Sequence, residues 1–113
     1  MDCLFCKIIA GEIPSKKVYD SDFVYAFHDI NPVAPVHVIV VPKMHIESAN
    51  AIDDKNSDEV KHVFEAIPKI AQELGVKEDG YRVITNIGQN GGQTIKHLHF
   101  HIIGGTNLGE KLI

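Results

Sequence analysis

Leu4, Phe5, Ile8 and Ile9 recur at helical spacing, and Gly11 with Pro14 stops the run, so the chain is expected to open on a short helix. β-Branched and aromatic residues dominate 18–20 and 23–28 on either side of the turn-prone Asp20-Ser21-Asp22, which predicts a hairpin. Prolines at 32 and 35 mark a loop, and the apolar run 37–41, closed by Pro42, reads as a central strand. The longest helix is expected to start at Asn56, an N-cap with Glu59 three residues on, and to end at Leu74 before Gly75. Its apolar face is Val60, Val63, Phe64, Ile67, Ile70, Ala71 and Leu74, with Pro68 removing one interior hydrogen bond and bending it. Residues 81–86 and 98–103 read as two further strands around the glycine-rich stretch 88–94. Helix, three strands, helix, two strands, without regular βαβ alternation, predicts an α+β domain whose five-stranded sheet is mostly antiparallel.

At 113 residues the whole chain, 1–113, is expected to form a single domain, and no Pro, Gly or Ser-rich stretch divides it. A composition of 44% apolar and 23% charged residues is that of an ordinary soluble protein. The formal charge of -4, without runs of one sign, offers no basic footprint for a nucleic-acid backbone. No run of eighteen apolar residues and no leader pattern at the start are present, so no membrane association and a cytoplasmic location are expected. In that compartment the close pair Cys3 and Cys6 points to metal binding or redox chemistry before a structural disulfide.

The most informative segment is His97-Leu98-His99-Phe100-His101-Ile102-Ile103. Alternation along a strand puts the three histidines on one face, about 7 Å apart, and buries Leu98, Phe100 and Ile102 beneath the long helix. Such a row suits an elongated anionic substrate; residue types alone also allow a zinc or iron site, or a plain exposed face. The neighbouring glycines favour the anion. Gly91 and Gly92 let backbone N–H groups approach a phosphate, and Gln93 and Thr94 add hydrogen-bonding side chains, although Gly-Gly alone is what any hairpin turn carries.

The chain resembles the histidine triad (HIT) superfamily, in particular its Hint branch of nucleotide phosphoramidases. The resemblance spans Leu4-Phe5-Cys6-Lys7-Ile8-Ile9, Glu12-Ile13-Pro14, Ala26-Phe27-His28-Asp29-Ile30, Ala34-Pro35-Val36-His37, Val41-Pro42-Lys43-Met44-His45, Gly80-Tyr81-Arg82, Gly91-Gly92-Gln93 and the triad itself. It implies a HIT-like fold and a purine nucleoside phosphoramidase that cleaves the P–N bond of adenylated or guanylated amines. A dinucleoside polyphosphate hydrolase, or a nucleotide-binding regulatory protein with incidental catalysis, is the alternative. By the same resemblance His99 is the nucleophile, attacking phosphorus to give a nucleotidyl-histidine, with a backbone carbonyl holding its other ring nitrogen as N–H. His37, His97 and His101 lie around it as phosphate contacts or proton relay. Thr94 matches the hydroxyl that helps protonate the leaving amine, where the Hint branch usually has serine. Asp29 matches the ribose acceptor, and Phe5, Ile8, Phe27, His28 and Ile30 match the base slot, although packing alone would explain Phe5, Ile8 and Phe27. Asn86, Gly92 and Gln93 match contacts to the phosphate or leaving group.

Cys3, Cys6, His45 and His97 together make a Cys2His2 set suited to tetrahedral structural zinc, and some HIT relatives resemble the chain at all four positions and bind zinc there. In that case His97 serves the metal and leaves His99 and His101 for chemistry. Hint proteins pair through the long helix and the strand matching 81–86, so a homodimer is expected; pairing would also cover a free sheet edge. One departure stands out: the tail 105–113 has no tryptophan, whereas familiar Hint tails can place an aromatic in the partner's site.

Overall fold

The computed structural model describes residues 3–112; Met1, Asp2 and Ile113, the outer ends of the stretches read above, lie outside the described residues. The expected order is present. A short helix α1 (Leu4–Ile9) precedes strands β1 (Lys17–Asp20), β2 (Val24–His28) and β3 (Val36–Pro42); a long helix α2 (Ser57–Glu73) follows, and then strands β4 (Tyr81–Ile84) and β5 (Phe100–Gly104). The five strands form one sheet in the order β1-β2-β3-β5-β4, antiparallel throughout, with β3 at its centre.

Register assigns each strand residue to a face. Phe27 lies opposite Ile39, Ile39 opposite His101 and His101 opposite Ile84, which puts one row across four strands on the α1 side. The neighbouring row runs Ala26, Val40, Phe100 and belongs to the α2 side. Each side has its own core. Val24, Ala26, Val38, Val40, Leu98, Phe100 and Ile102 pack with Val63, Ala66, Ile67 and Ile70 of α2, while Tyr25, Phe27, Ile39 and Val41 pack with Phe5 and Ile8 of α1 and with Cys3 just before it. Burial of these apolar side chains, each contributing on the order of 1.5–3 kcal/mol, holds both helices to the sheet.

Several expectations are corrected. Pro42 is the last residue of β3, not a stop before it, because it pairs with Val24 at the end of the ladder where no further N–H is required. Asn56 precedes α2 but does not cap it with its side chain; its amide turns back, accepting from Asp53 N–H (2.8 Å) and donating to the Ala51 carbonyl (3.0 Å). Phe64 of α2 is 51% exposed, with a T-shaped contact to Phe100 at 5.5 Å, because the apolar stripe centres on Val63, Ile67 and Ile70. Strand β4 ends at Ile84, and β5 starts at Phe100, so His97, Leu98 and His99 precede the ladder. They are held instead by Leu98 N–H on the Ile46 carbonyl (2.6 Å) and by the Thr85 hydroxyl donating to the His99 carbonyl (2.7 Å). No helix among the described residues is long and apolar enough to cross a membrane.

Candidate active site

Leaving the ladder one residue before Phe100 sends the three histidines of 97–101 to different places. His97 is fully buried, His99 nearly so, and His101 half-buried. Rings His99 and His101 lie 5.2 Å apart, edge to face, closer than the 7 Å expected of a regular strand. His97 turns away from both, and only His99 and His101 line a pocket of about 590 Å³ between α1 and the 28–31 segment.

The tautomer of each ring follows from its partners. The Nδ1–H of His99 donates to the His97 carbonyl at 2.7 Å, so Nε2 is left with its lone pair. The Val33 N–H donates to His37 Nδ1 (3.1 Å), so the proton of neutral His37 sits on Nε2. That Nε2–H faces His101 Nδ1 at 2.9 Å and Asp29 Oδ2 at 3.3 Å. His101 therefore accepts at Nδ1 and carries its own proton on Nε2. One loop amide sets the polarity of the whole chain of rings. Burial is the main force lowering the pKa of both His99 and His101 below the ordinary histidine value; His99 and His37 lower His101 further, while Asp29 opposes the shift in both rings.

Around these rings the expected slot residues divide. Phe5, Ile8, Phe27, His28, Asp29, Ile30, Asn86, Gly92 and Thr94 all line the pocket. Phe5 stacks edge-on against His99 at 4.9 Å and against Phe27 at 5.7 Å, so it serves the core and the pocket at once. Asp29 Oδ1 accepts from Asn31 N–H (2.8 Å), which holds the carboxylate at the pocket rim beside His37. The Thr94 hydroxyl, exposed at the mouth, has no hydrogen-bond partner among the described residues. His37 stands behind the pocket, 6% exposed, and reaches it through two lining residues, His101 and Asp29.

Gln93 is not brought to the histidines. Its amide donates to the Glu47 and Ile95 carbonyls (2.8 and 3.1 Å) and accepts from Gly88 N–H (3.0 Å), which leaves it holding the loop to the body. Within the glycine-rich segment two of the amides bond inside the loop. Gly92 N–H closes onto the Gln89 carbonyl and Gln93 N–H onto the Gly88 carbonyl, and Asn86 Nδ2 donates to the Gly91 carbonyl at 2.8 Å. Glycine is needed at 91 for space, since a Cβ there would lie 2.3 Å from the Ile87 oxygen. Ile13, Ser15, Lys16, Asn31 and Ile95 also line the pocket, and no spacing in the sequence marks them.

The second cluster forms around His97. Its Nε2–H donates to the Pro42 carbonyl at 2.9 Å, which turns Nδ1 toward Cys3 Sγ (3.3 Å), Cys6 Sγ (3.6 Å) and His45 Nδ1 (3.2 Å); Cys6 Sγ lies 3.4 Å from His45 Nδ1. The four donor atoms all fall within 4.8 Å of one another. Zinc bonds of about 2.0–2.3 Å at tetrahedral angles require donors roughly 3.3–3.8 Å apart, and the four separations of 3.2–3.6 Å lie at that spacing, so the two thiols and two imidazoles suit that ion. Burial first, then the Cys3 sulfur's hydrogen bond and charge, push the Cys6 thiol up to about 11; a bound cation reverses that pull.

A sequence model described as the HIT domain matches residues 10–108. The chain is 40% identical over 111 residues to a purine nucleoside phosphoramidase of Escherichia coli, covering 98% of this chain and 93% of the relative. It is 48% identical over 106 residues to an uncharacterized HIT-like protein of Rickettsia prowazekii, covering 93% and 88%. Among solved structures, a HIT family hydrolase from Clostridium thermocellum superposes with a TM-score of 0.96 at 46% identity, covering 99% of this chain and 97% of that one. A histidine triad protein from Clostridium difficile gives 0.94 at 55%, covering 98% and 96%.

Proposed function

The chain belongs to the HIT family, and from that premise we propose that it is a purine nucleoside phosphoramidase acting through a nucleotidyl-histidine at His99. The observation that carries the reading is the 2.7 Å bond from His99 Nδ1–H to the His97 carbonyl, which leaves Nε2 as the free nucleophilic atom beside the pocket. The similarity to the Escherichia coli phosphoramidase supports the substrate class.

In this mechanism Nε2 attacks the α-phosphorus, and the Nε2–P bond forms as the P–N bond to the amine breaks. The amine nitrogen keeps the bonding pair and takes up a proton, with the Thr94 hydroxyl at the pocket mouth placed to pass it. As His99 becomes cationic, its Nδ1–H bond to the carbonyl strengthens. His101 offers Nε2–H to a non-bridging phosphate oxygen, its polarity held by His37 and the Val33 amide. Water then attacks phosphorus, the Nε2–P bond breaks with its electron pair returning to Nε2, and the proton lost by water balances the one given to the amine. Products are the free amine and a nucleoside monophosphate. Asp29 is the acceptor for the ribose hydroxyls, and Phe5, Ile8 and Phe27 wall the base.

Steady-state assays with adenosine and guanosine phosphoramidates beside diadenosine polyphosphates test this reading. Faster turnover of the P–N substrates supports it, and faster turnover of the diadenosine compounds overturns it.

The Cys3, Cys6, His45 and His97 cluster is proposed to hold a structural zinc that ties α1 to the catalytic segment; its chemistry there is to fix ligands and not to activate water. Less than half an equivalent of zinc per chain in protein purified without chelator would reject it. A homodimer is proposed through α2 and β4, on the grounds that β4 is a sheet edge and Phe64 of α2 is half exposed. Sedimentation at micromolar concentration should give twice the 12.5 kDa chain mass, and a species of one chain mass alone would refute pairing.

A further inference from the structure

A second cavity, of about 800 Å³, lies on the other side of the glycine-rich loop from the histidine pocket. The two share two residues, Gly92 and Thr94, so they meet at the mouth where the P–N bond would break. Between them the loop is built, not loose: Gln93 ties it to Glu47 and Ile95, and Asn86 ties it to Gly91. The histidine pocket has room for a nucleotide of ordinary size and is walled on one side by Phe5 and Ile8 of α1, and at Gly92 and Thr94 it borders the second cavity directly.

We propose that this second cavity is the leaving-group subsite, and that it takes an extended polar amine carrying both a positive and a negative group, read by Glu47 and Lys96. The inference rests on the phosphoramidase reading and deepens it. Three observations favour this occupant. The lining side chains are polar apart from one alanine, so a polar amine finds hydrogen-bonding groups along the cavity. Asn50 and Gln89 add donors and acceptors. Glu47 and Lys96 have opposite charges, both are exposed, and neither forms an ion pair with the other or with any described residue, so each is available to a ligand. Thr94, at the junction, meets the nitrogen that both halves share.

The test uses adenosine phosphoramidates of four amines with one chain length and matched basicity, ending in an ammonium, a carboxylate, both, or a neutral carboxamide. Values of kcat/KM are compared within each protein for wild type, Glu47→Gln, Lys96→Glu and Lys96→Arg. Wild type is expected to favour the doubly charged amine over the carboxamide by about fivefold, the upper range for solvent-exposed ion pairs. Lys96→Glu should move the preference to the ammonium-ended amine, Glu47→Gln to the carboxylate-ended one, and Lys96→Arg should keep the wild-type order. Equal rates for all four amines in wild type, or an order that Lys96→Glu leaves in place, would overturn the subsite. Failure of wild type to cleave any of the four while it hydrolyses diadenosine tetraphosphate would overturn the phosphoramidase reading, and the subsite with it.

Discussion

His97 and His99 stand two residues apart, and the protein uses opposite nitrogens of the two rings. At His97 the Pro42 carbonyl takes Nε2–H, so Nδ1 faces two sulfurs and His45; at His99 the His97 carbonyl takes Nδ1–H, so Nε2 faces the pocket. In the proposed reading one ring is a ligand for zinc and the other a nucleophile, and neither role lies in the residue type. A backbone carbonyl within reach of one nitrogen decides what the other can do. The two clusters are also coupled, because the peptide that bears one ring orients the next.

The sharpest way to break the comparison is to remove the nucleophile. His99→Ala should lower phosphoramidate turnover by about three orders of magnitude or more while AMP binding stays within a few-fold, since the attacking atom goes but the slot remains. Retention of a tenth of wild-type kcat would reject His99 as the nucleophile. Next comes the other cluster. Cys3→Ser with Cys6→Ser should lower the melting temperature by roughly 10 °C or more, by loss of a metal tie between α1 and the 97–101 segment, yet leave measurable turnover. A folded double variant with no turnover at all would mean the cluster acts in the chemistry.

A smaller effect is expected where polarity is set from a distance. Val33→Pro deletes the N–H that fixes His37, and lets its proton move to Nδ1, so kcat should fall about five- to tenfold, with KM little changed and an altered pH profile. An unchanged profile at unchanged kcat would show that the amide does not position the relay. The smallest effect concerns stability and pH. Because burial holds His101 below its unfolded pKa, the unfolded chain binds the proton first as pH drops below about 6.5, and stability is lost from there toward the folded pKa. The urea midpoint of wild type should therefore fall more between pH 7.5 and 5.5 than that of His101→Asn; equal falls would show that His101 does not contribute.

The sequence alone determined the elements, because periods of two and of 3.6 separate strands from helices, and glycines and prolines punctuate them. It also determined which residue types meet. The Cys3 and Cys6 pair and the alternation through 97–101 were legible as a thiolate pair and a histidine row, and family resemblance supplied Asp29, Thr94 and the slot. What the tertiary structure decided was direction. No pattern in the chain shows that the ladder begins at Phe100, that the Pro42 carbonyl reaches His97, that the Val33 amide reaches His37, or that the Gln93 side chain and the Gly92 and Gln93 amides turn inward to hold the loop. These are hydrogen bonds to backbone groups, whose chemistry is the same at every residue. Sequence cannot distinguish one carbonyl or amide from another; only their position in the folded chain selects which ring nitrogen is left with a lone pair.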